Sequence, residues 1–272
     1  MSETATSKRP RCGGEGARRS FLAAAIGAAA LAPWQGAGAG AKPVLVLAAA
    51  SLKDVLEALG KAFARTSGAT IRYAFAATSS LVRQLEQGLE ADLFVSADRQ
   101  WMDHAVRRGL VERDSVVELS GNRLVMVAAR GSGEPFALGR GADLGARLGR
   151  GRLAVADVRA VPAGRYAKEA LESLALWAQV SERLAITENV RAALVLAARG
   201  EVPLAIVYET DARADPRVQV VARFPPASHR PIRYPAALVR GHSGSDAIAL
   251  LRFLRSPAAA RVFGEHGFAT PG

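Results

Sequence analysis

One cysteine, Cys12, in 272 residues leaves the chain no disulfide to form within itself. Histidine is nearly as scarce, and His104, His229, His242 and His266 are dispersed as surface groups are, not gathered as ligands. There is no H-E-x-x-H, no G-x-S-x-G and no G-x-x-x-x-G-K-[ST], so metalloprotease, serine-hydrolase and P-loop chemistry lack their motifs. Beyond the N-terminus no apolar run is long enough to span a bilayer. Acidic residues are outnumbered, 25 against 36 cations, which gives a net charge of +11. Of those cations 31 are arginines scattered singly or in pairs, and the densest group is Lys8, Arg9 and Arg11 at the N-terminus. Spread charge of this kind describes a general surface rather than a nucleic-acid face.

The composition, 50% apolar and 22% charged, is that of a globular protein with a sizeable core. Arg18-Arg19-Ser20-Phe21-Leu22 opens an apolar stretch that runs through Leu31, followed by Pro33 and a Gly/Ala tail. A basic n-region, an h-region of about eleven residues and small residues after it predict an export signal over 1–41, too short to be a membrane span. The paired arginines are similar to a twin-arginine signal, with Ala39-Gly40-Ala41 or Ala37-Gly38-Ala39 as the cleavage region. Cys12 lies inside the segment to be removed, and no cysteine follows the h-region to carry a lipid. Losing five cations and two acids leaves residues 42–272 at +8.

From Lys42 onward strands and helices alternate. Val44–Leu47, Thr70–Phe75 and Asp92–Ser96 read as strands, and apolar residues at helical spacing follow each, as in Leu52, Val55, Leu56, Leu59 and Phe63. Three βα units predict a parallel sheet covered by helices. After a strand at Asn122–Ala129 and a Gly-rich passage, a second α/β group follows. It comprises Leu153–Ala156, helices Tyr166–Leu176 and Val190–Arg199, and the strands Leu204–Tyr208 and Val218–Ala222. A strand at Tyr234–Val239 and two closing helices end the chain. The reading is an α/β protein of two lobes, 42–121 with 224–272 and 122–223, with crossings near Ser120–Asn122 and Arg223–Pro225.

Four junctions pass from strand into helix through small or hydroxyl residues: Ala50-Ser51-Leu52-Lys53, Ala77-Thr78-Ser79-Ser80, Val161-Pro162-Ala163-Gly164 and Glu188-Asn189-Val190-Arg191. Each aims the free N–H groups of a helix N-terminus forward, and that end carries about half a positive charge. Ligands of open α/β sheets sit at the carboxyl ends of the strands. Two junctions fall in each lobe, so a ligand touching all four lies between the lobes: a small anion held without a formal cation. Ser51 and Thr78 occupy N-cap positions, where capping is the competing role. Tyr208 ends a buried strand and can reach a cleft with its hydroxyl, while Ala163 and Val190 offer only backbone N–H. Asp92 and Asp98 read as structural carboxylates, and nothing supplies Ser51 with a base, so no catalytic residue is assigned.

Several segments carry a more specific resemblance. Ala48-Ala49-Ala50-Ser51-Leu52, Ala91-Asp92-Leu93-Phe94-Val95-Ser96-Ala97-Asp98 with Trp101-Met102, Val161-Pro162-Ala163-Gly164-Arg165-Tyr166, and Ala205-Ile206-Val207-Tyr208 stand in the order found in one family. With Phe224-Pro225, Ser228-His229, Tyr234-Pro235 and the segment Ala258–Phe268, the chain from Val44 to Phe268 resembles the molybdate-binding proteins of bacterial ABC importers. That resemblance implies a two-lobed periplasmic-binding-protein fold (type II) with its ligand in the cleft. It implies capture of molybdate, and of tungstate, in the periplasm for delivery to a membrane permease, by a monomer with neither cofactor nor catalysis. The oxyanion-binding residues it implies are Ser51 and Thr78 from the first lobe and Ala163, Val190 and Tyr208 from the second. The family often has a serine run where this chain has Ala77-Thr78-Ser79, so the second hydroxyl comes from Thr78 or Ser79. A binder of sulfate, thiosulfate or a small organic anion is the nearest alternative. A regulator's ligand-sensing domain would need a helix-turn-helix where this chain has its export signal.

Overall fold

The computed structural model describes residues 42–242 and 244–270. The expected export signal, with Cys12, the paired arginines and both cleavage candidates, lies outside them. The strands are β1 (Val44–Ala49), β2 (Ile71–Ala76), β3 (Leu93–Val95), β4 (Val117–Asn122), β5 (Leu124–Ala129), β6 (Leu153–Ala156), β7 (Leu184–Thr187), β8 (Leu204–Tyr208), β9 (Val218–Arg223) and β10 (Ile232–Leu238). The helices are α1 (Lys53–Ser67), α2 (Thr78–Glu86), α3 (Arg99–Arg107), α4 (Leu144–Leu148), α5 (Pro162–Ser173), α6 (Trp177–Val180), α7 (Val190–Ala198), α8 (Glu209–Ala214), α9 (Ser245–Leu254) and α10 (Pro257–Glu265).

The strands form two five-stranded sheets, ordered β2-β1-β3-β10-β4 and β7-β6-β8-β5-β9. In each sheet four strands point the same way and the fifth, β10 or β5, runs antiparallel between two of them. The chain leaves the first sheet after Asn122, enters the second at Leu124, and returns between Arg223 and Ile232. Side-chain alternation decides how the first sheet is covered. Val46 and Ala48 pack on one face with Leu56, Leu59 and Phe63 of α1, whereas Leu47 and Phe94 face Leu81, Val82 and Leu85 of α2 and Met102 of α3. Both faces are therefore buried, which is why these strands read as near-continuous apolar runs. α1 ends at Gly68, whose φ of 73° is left-handed backbone that a glycine adopts without penalty.

Register aligns the junctions. Ala49 of β1 lies opposite Ala76 of β2, and Ala156 of β6 opposite Thr187 of β7, so neighbouring strands end level and their turns leave side by side.

The structure departs from the periodicity reading in a few places. The strand expected at Asn122–Ala129 is two elements, since Asn122 closes β4 in the first sheet and β5 begins in the second. β4 and β7 were not expected. β7 is an edge strand with Ile186 facing solvent, so its pattern is mixed rather than apolar. α5 starts at Pro162, four residues before the apolar spacing begins, because proline at the first helical position has its φ preset and needs no N–H partner.

Gly164 sets how closely α5 sits on β6. A Cβ there would stand 2.1 Å from the Ala156 carbonyl oxygen and 2.5 Å from that of Asp157, both backbone atoms. Gly164→Ala must lift the start of α5, with an expected loss of about 1–3 kcal/mol. Urea unfolding should show a lower midpoint at unchanged slope; a wild-type midpoint would mean that the helix does not depend on this close approach.

Candidate functional site

Ser51, Thr78, Ala163, Val190 and Tyr208 all border one cavity between the two sheets' lobes. The cavity is small, with a volume of about 10 Å³. Its other walls are Ala49, Ala50, Ala76, Ala77, Ala97, Val161, Pro162 and Asn189, so among the described residues no charged side chain lines it. Ser79, the alternative to Thr78, does not border the cavity, although its hydroxyl is buried without a partner.

The capping role considered for Ser51 and Thr78 does not hold. Ser51 lies inside a 3-10 turn, Ala50–Leu52, that precedes α1, and Thr78 is the first residue of α2; neither helix has a side-chain cap. Each hydroxyl has another task. Thr78 Oγ1 accepts the Ala97 N–H at 3.0 Å, and Ser51 Oγ lies 3.1 Å from the Tyr234 hydroxyl. With its oxygen already accepting, Thr78 keeps its proton to donate.

The second lobe's junctions present backbone donors. In α5 the first N–H bonding back to Val161 is that of Arg165, at 2.9 Å, and Pro162 has no N–H, so those of Ala163 and Gly164 are left over. In α7 the Asn189 side chain accepts from Ala192 at 3.0 Å and its carbonyl from Ala193, which leaves the Val190 N–H at the helix mouth. Tyr208, at the end of β8, is 1% exposed, yet its hydroxyl has no partner among the described residues. Because Tyr208 also lines the cavity, its hydroxyl is free to donate to a guest there.

Charge has been removed from the site's edge. Arg191, one residue into α7, donates to Asp54 of α1 and to Asp211 of α8, each at 2.5 Å. Burial alone would lower Arg191; the carboxylates of Asp211 and Asp54 outweigh it and hold the guanidinium above its ordinary range. Burial also pushes the Asp211 carboxyl up, against the pull of Arg191 and of the Tyr208 N–H, which it accepts at 3.2 Å. Burial raises Tyr208 and Tyr234 well above the ordinary phenol value, so both remain neutral donors. Asp92 accepts the Leu45 N–H at 2.8 Å, and Asp98 accepts the Trp101 N–H at 2.8 Å and faces Arg165 at 3.8 Å, so both carboxylates are engaged in the framework. Among the described residues no cluster of His, Cys, Asp or Glu suits a metal ion, and no helix is long and apolar enough to cross a membrane.

The arrangement can bind a small anion through neutral hydroxyl and amide donors. Sequence reasoning passed over Tyr234, Asn122, Ala97 and the Arg191–Asp54–Asp211 group, because each acts through a contact distant in the chain.

Similar proteins fit this picture. The sequence profile of the bacterial extracellular solute-binding proteins matches residues 44–269. Over 226 residues the chain is 43% identical to the molybdate-binding protein ModA of Escherichia coli (strain K12), covering 83% of this chain and 88% of that protein. The substrate-binding domain of a putative molybdenum ABC transporter from Clostridium difficile is 26% identical, with a TM-score of 0.64 over 85% of this chain and 99% of that one. The periplasmic molybdate-binding protein of Azotobacter vinelandii has a TM-score of 0.74 over 84% of this chain and 100% of that one; at 20% identity this is a likeness of fold.

Two substitutions separate binding groups from framework groups. Tyr208→Phe removes an unpartnered hydroxyl, so the unfolding midpoint of the ligand-free protein should stay the same or rise. Arg191→Met leaves Asp211 buried without its cation and should lower stability by about 3 kcal/mol or more. Thermal and urea unfolding check both, and a destabilised Tyr208→Phe would reveal a structural partner for that hydroxyl.

Proposed function

This chain belongs to the bacterial extracellular solute-binding proteins, and from that premise we propose that its cleft captures molybdate outside the cytoplasm for delivery to an ABC importer. One observation carries the reading: Ser51, Thr78, Ala163, Val190 and Tyr208, drawn from both lobes, converge on a small cavity that offers donors and no charge. Tungstate, of the same shape and charge, is a second ligand on this reading. The setting is the periplasm, the protein acts as a monomer, and the partner is a membrane permease. There is no catalytic step and no nucleic acid to bind.

The chemistry favours a fully deprotonated tetrahedral dianion. A hydrogen bond to a charged acceptor contributes about 1.5–3 kcal/mol, so several in a closed cleft offset the loss of hydration. Among the described residues no carboxylate borders the cavity to accept a proton from the ligand, which disfavours monohydrogen phosphate. Sulfate makes the same demand for donors but is smaller, so discrimination rests on how many donors reach its oxygens at once.

Calorimetric titration with molybdate, tungstate, sulfate and phosphate tests the reading. Tight one-to-one binding of the first two, with the others silent, is the expected result; sulfate binding as tightly would reassign the cargo, and silence from all four would remove the function. Ser51→Ala should weaken molybdate binding about 10- to 100-fold.

The pH dependence follows from the tyrosines. Deprotonating Tyr208 would remove a donor and place a negative charge beside the anion, so it must weaken binding. Burial raises that phenol, so the loss begins only above the ordinary tyrosine value of about 10. Affinity should therefore be flat between about pH 7 and 9.5, and a fall within that window would mean that a titrating group lines the cleft.

A further inference from the structure

We propose that Tyr234 and Asn122 are positioning residues that direct the Ser51 hydroxyl at the bound oxyanion. The inference rests on the reading of Ser51 as an oxyanion donor and adds how its proton is aimed. A serine hydroxyl rotates freely, and a single proton cannot serve two acceptors. Ser51 also borders a second cavity of about 340 Å³, beside Asp54, Arg191 and His266. Turned that way, its proton would be lost to the ligand.

The contacts behind Ser51 leave one consistent arrangement of protons. Asn122 Oδ1 accepts the Arg123 N–H at 2.8 Å, which fixes the orientation of the amide. Its Nδ2, which can only donate, lies 3.0 Å from the Tyr234 hydroxyl and 2.9 Å from Thr210 Oγ1. Asn122 Nδ2 can take no proton, so Ser51 Oγ, at 3.1 Å, is the one acceptor the recorded contacts offer the Tyr234 hydroxyl, and the phenol donates there. Ser51 accepts, and its remaining proton has the anion cavity in front of it. Tyr234 is fully buried, its ring packed edge-on against Phe268 with centroids 5.4 Å apart, so the phenol holds its place. Burial also keeps it protonated.

The relay ends at the lobe crossing. Asn122 is the last residue of β4, and its other partner, Thr210, belongs to α8 in the second lobe. The donor in the first lobe is thus oriented by a residue whose amide contacts both lobes.

A double-mutant cycle on the full protein, read by molybdate titration, tests this. Tyr234→Phe should weaken binding about 3- to 10-fold while the circular-dichroism melt stays cooperative. In a Ser51→Ala background the same substitution should change affinity by less than about twofold, because the group it orients is gone. Wild-type affinity in Tyr234→Phe, or an equal loss in both backgrounds, overturns the inference and leaves Ser51 as a donor. If Tyr234→Phe does not fold, Asn122→Leu takes its place in the cycle with the same expected coupling and the same contrary result. A wild-type protein that binds no molybdate defeats the underlying reading, and the inference with it.

Discussion

A doubly charged anion can be kept dry only if donors already in place meet its oxygens, and that demand organises both lobes of this protein. Donors on flexible side chains would have to be ordered on binding; backbone N–H groups at helix mouths are fixed by the fold itself. The level ends of β1 and β2, and of β6 and β7, bring four helix starts to one place. Small walls such as Ala49, Ala77, Ala97 and Ala163 let the backbone approach closely. Arg191, the cation nearest by sequence to a donor, is engaged by Asp54 and Asp211 and adds no free charge to the cleft. Neutral donors also serve a carrier that must release its cargo, since a formal ion pair would hold the anion by charge alone.

The lobes are held together around the cavity by contacts of several kinds. The Trp101 indole N–H donates to the Ala160 carbonyl at 2.8 Å, one residue before the Val161 turn. Arg191 joins Asp54 at 2.5 Å, Arg230 joins Glu169 at 3.0 Å, and Arg165 approaches Asp98 at 3.8 Å. Exposed ion pairs such as Arg230–Glu169 contribute little each. The apolar core adds to them, since buried residues of both sheets form one cluster and the Tyr208 and Tyr234 rings meet edge-on with centroids 6.1 Å apart. The backbone passes between the lobes at two places, at Arg123 and between Arg223 and Ile232.

Much of this was legible in the sequence because the signals are local. Helix spacing in Leu52–Phe63, the small residues of the four junctions and the strand-end position of Tyr208 can all be read within a dozen residues. What escaped depends on tertiary pairing. β4 and β7 owe their strand character to neighbours, and Asn122 looked like the start of a strand when it is the end of another. Tyr234 stood in a recognisable segment, yet its hydroxyl meets Ser51 across 183 residues, a contact that no periodicity predicts. The capping reading of Ser51 and Thr78 failed for the same reason: whether a hydroxyl serves its own helix or a distant N–H is decided by packing.

On the proposed reading one oxyanion sits between the lobes and touches both. Crystals grown with molybdate, measured at wavelengths on either side of the molybdenum absorption edge, would locate the metal atom directly. A single anomalous peak is expected in the cavity, with the anion's oxygens within hydrogen-bond reach of Ser51, Thr78, Ala163, Val190 and Tyr208. A peak elsewhere on the molecule, or one touching a single lobe, would contradict that reading.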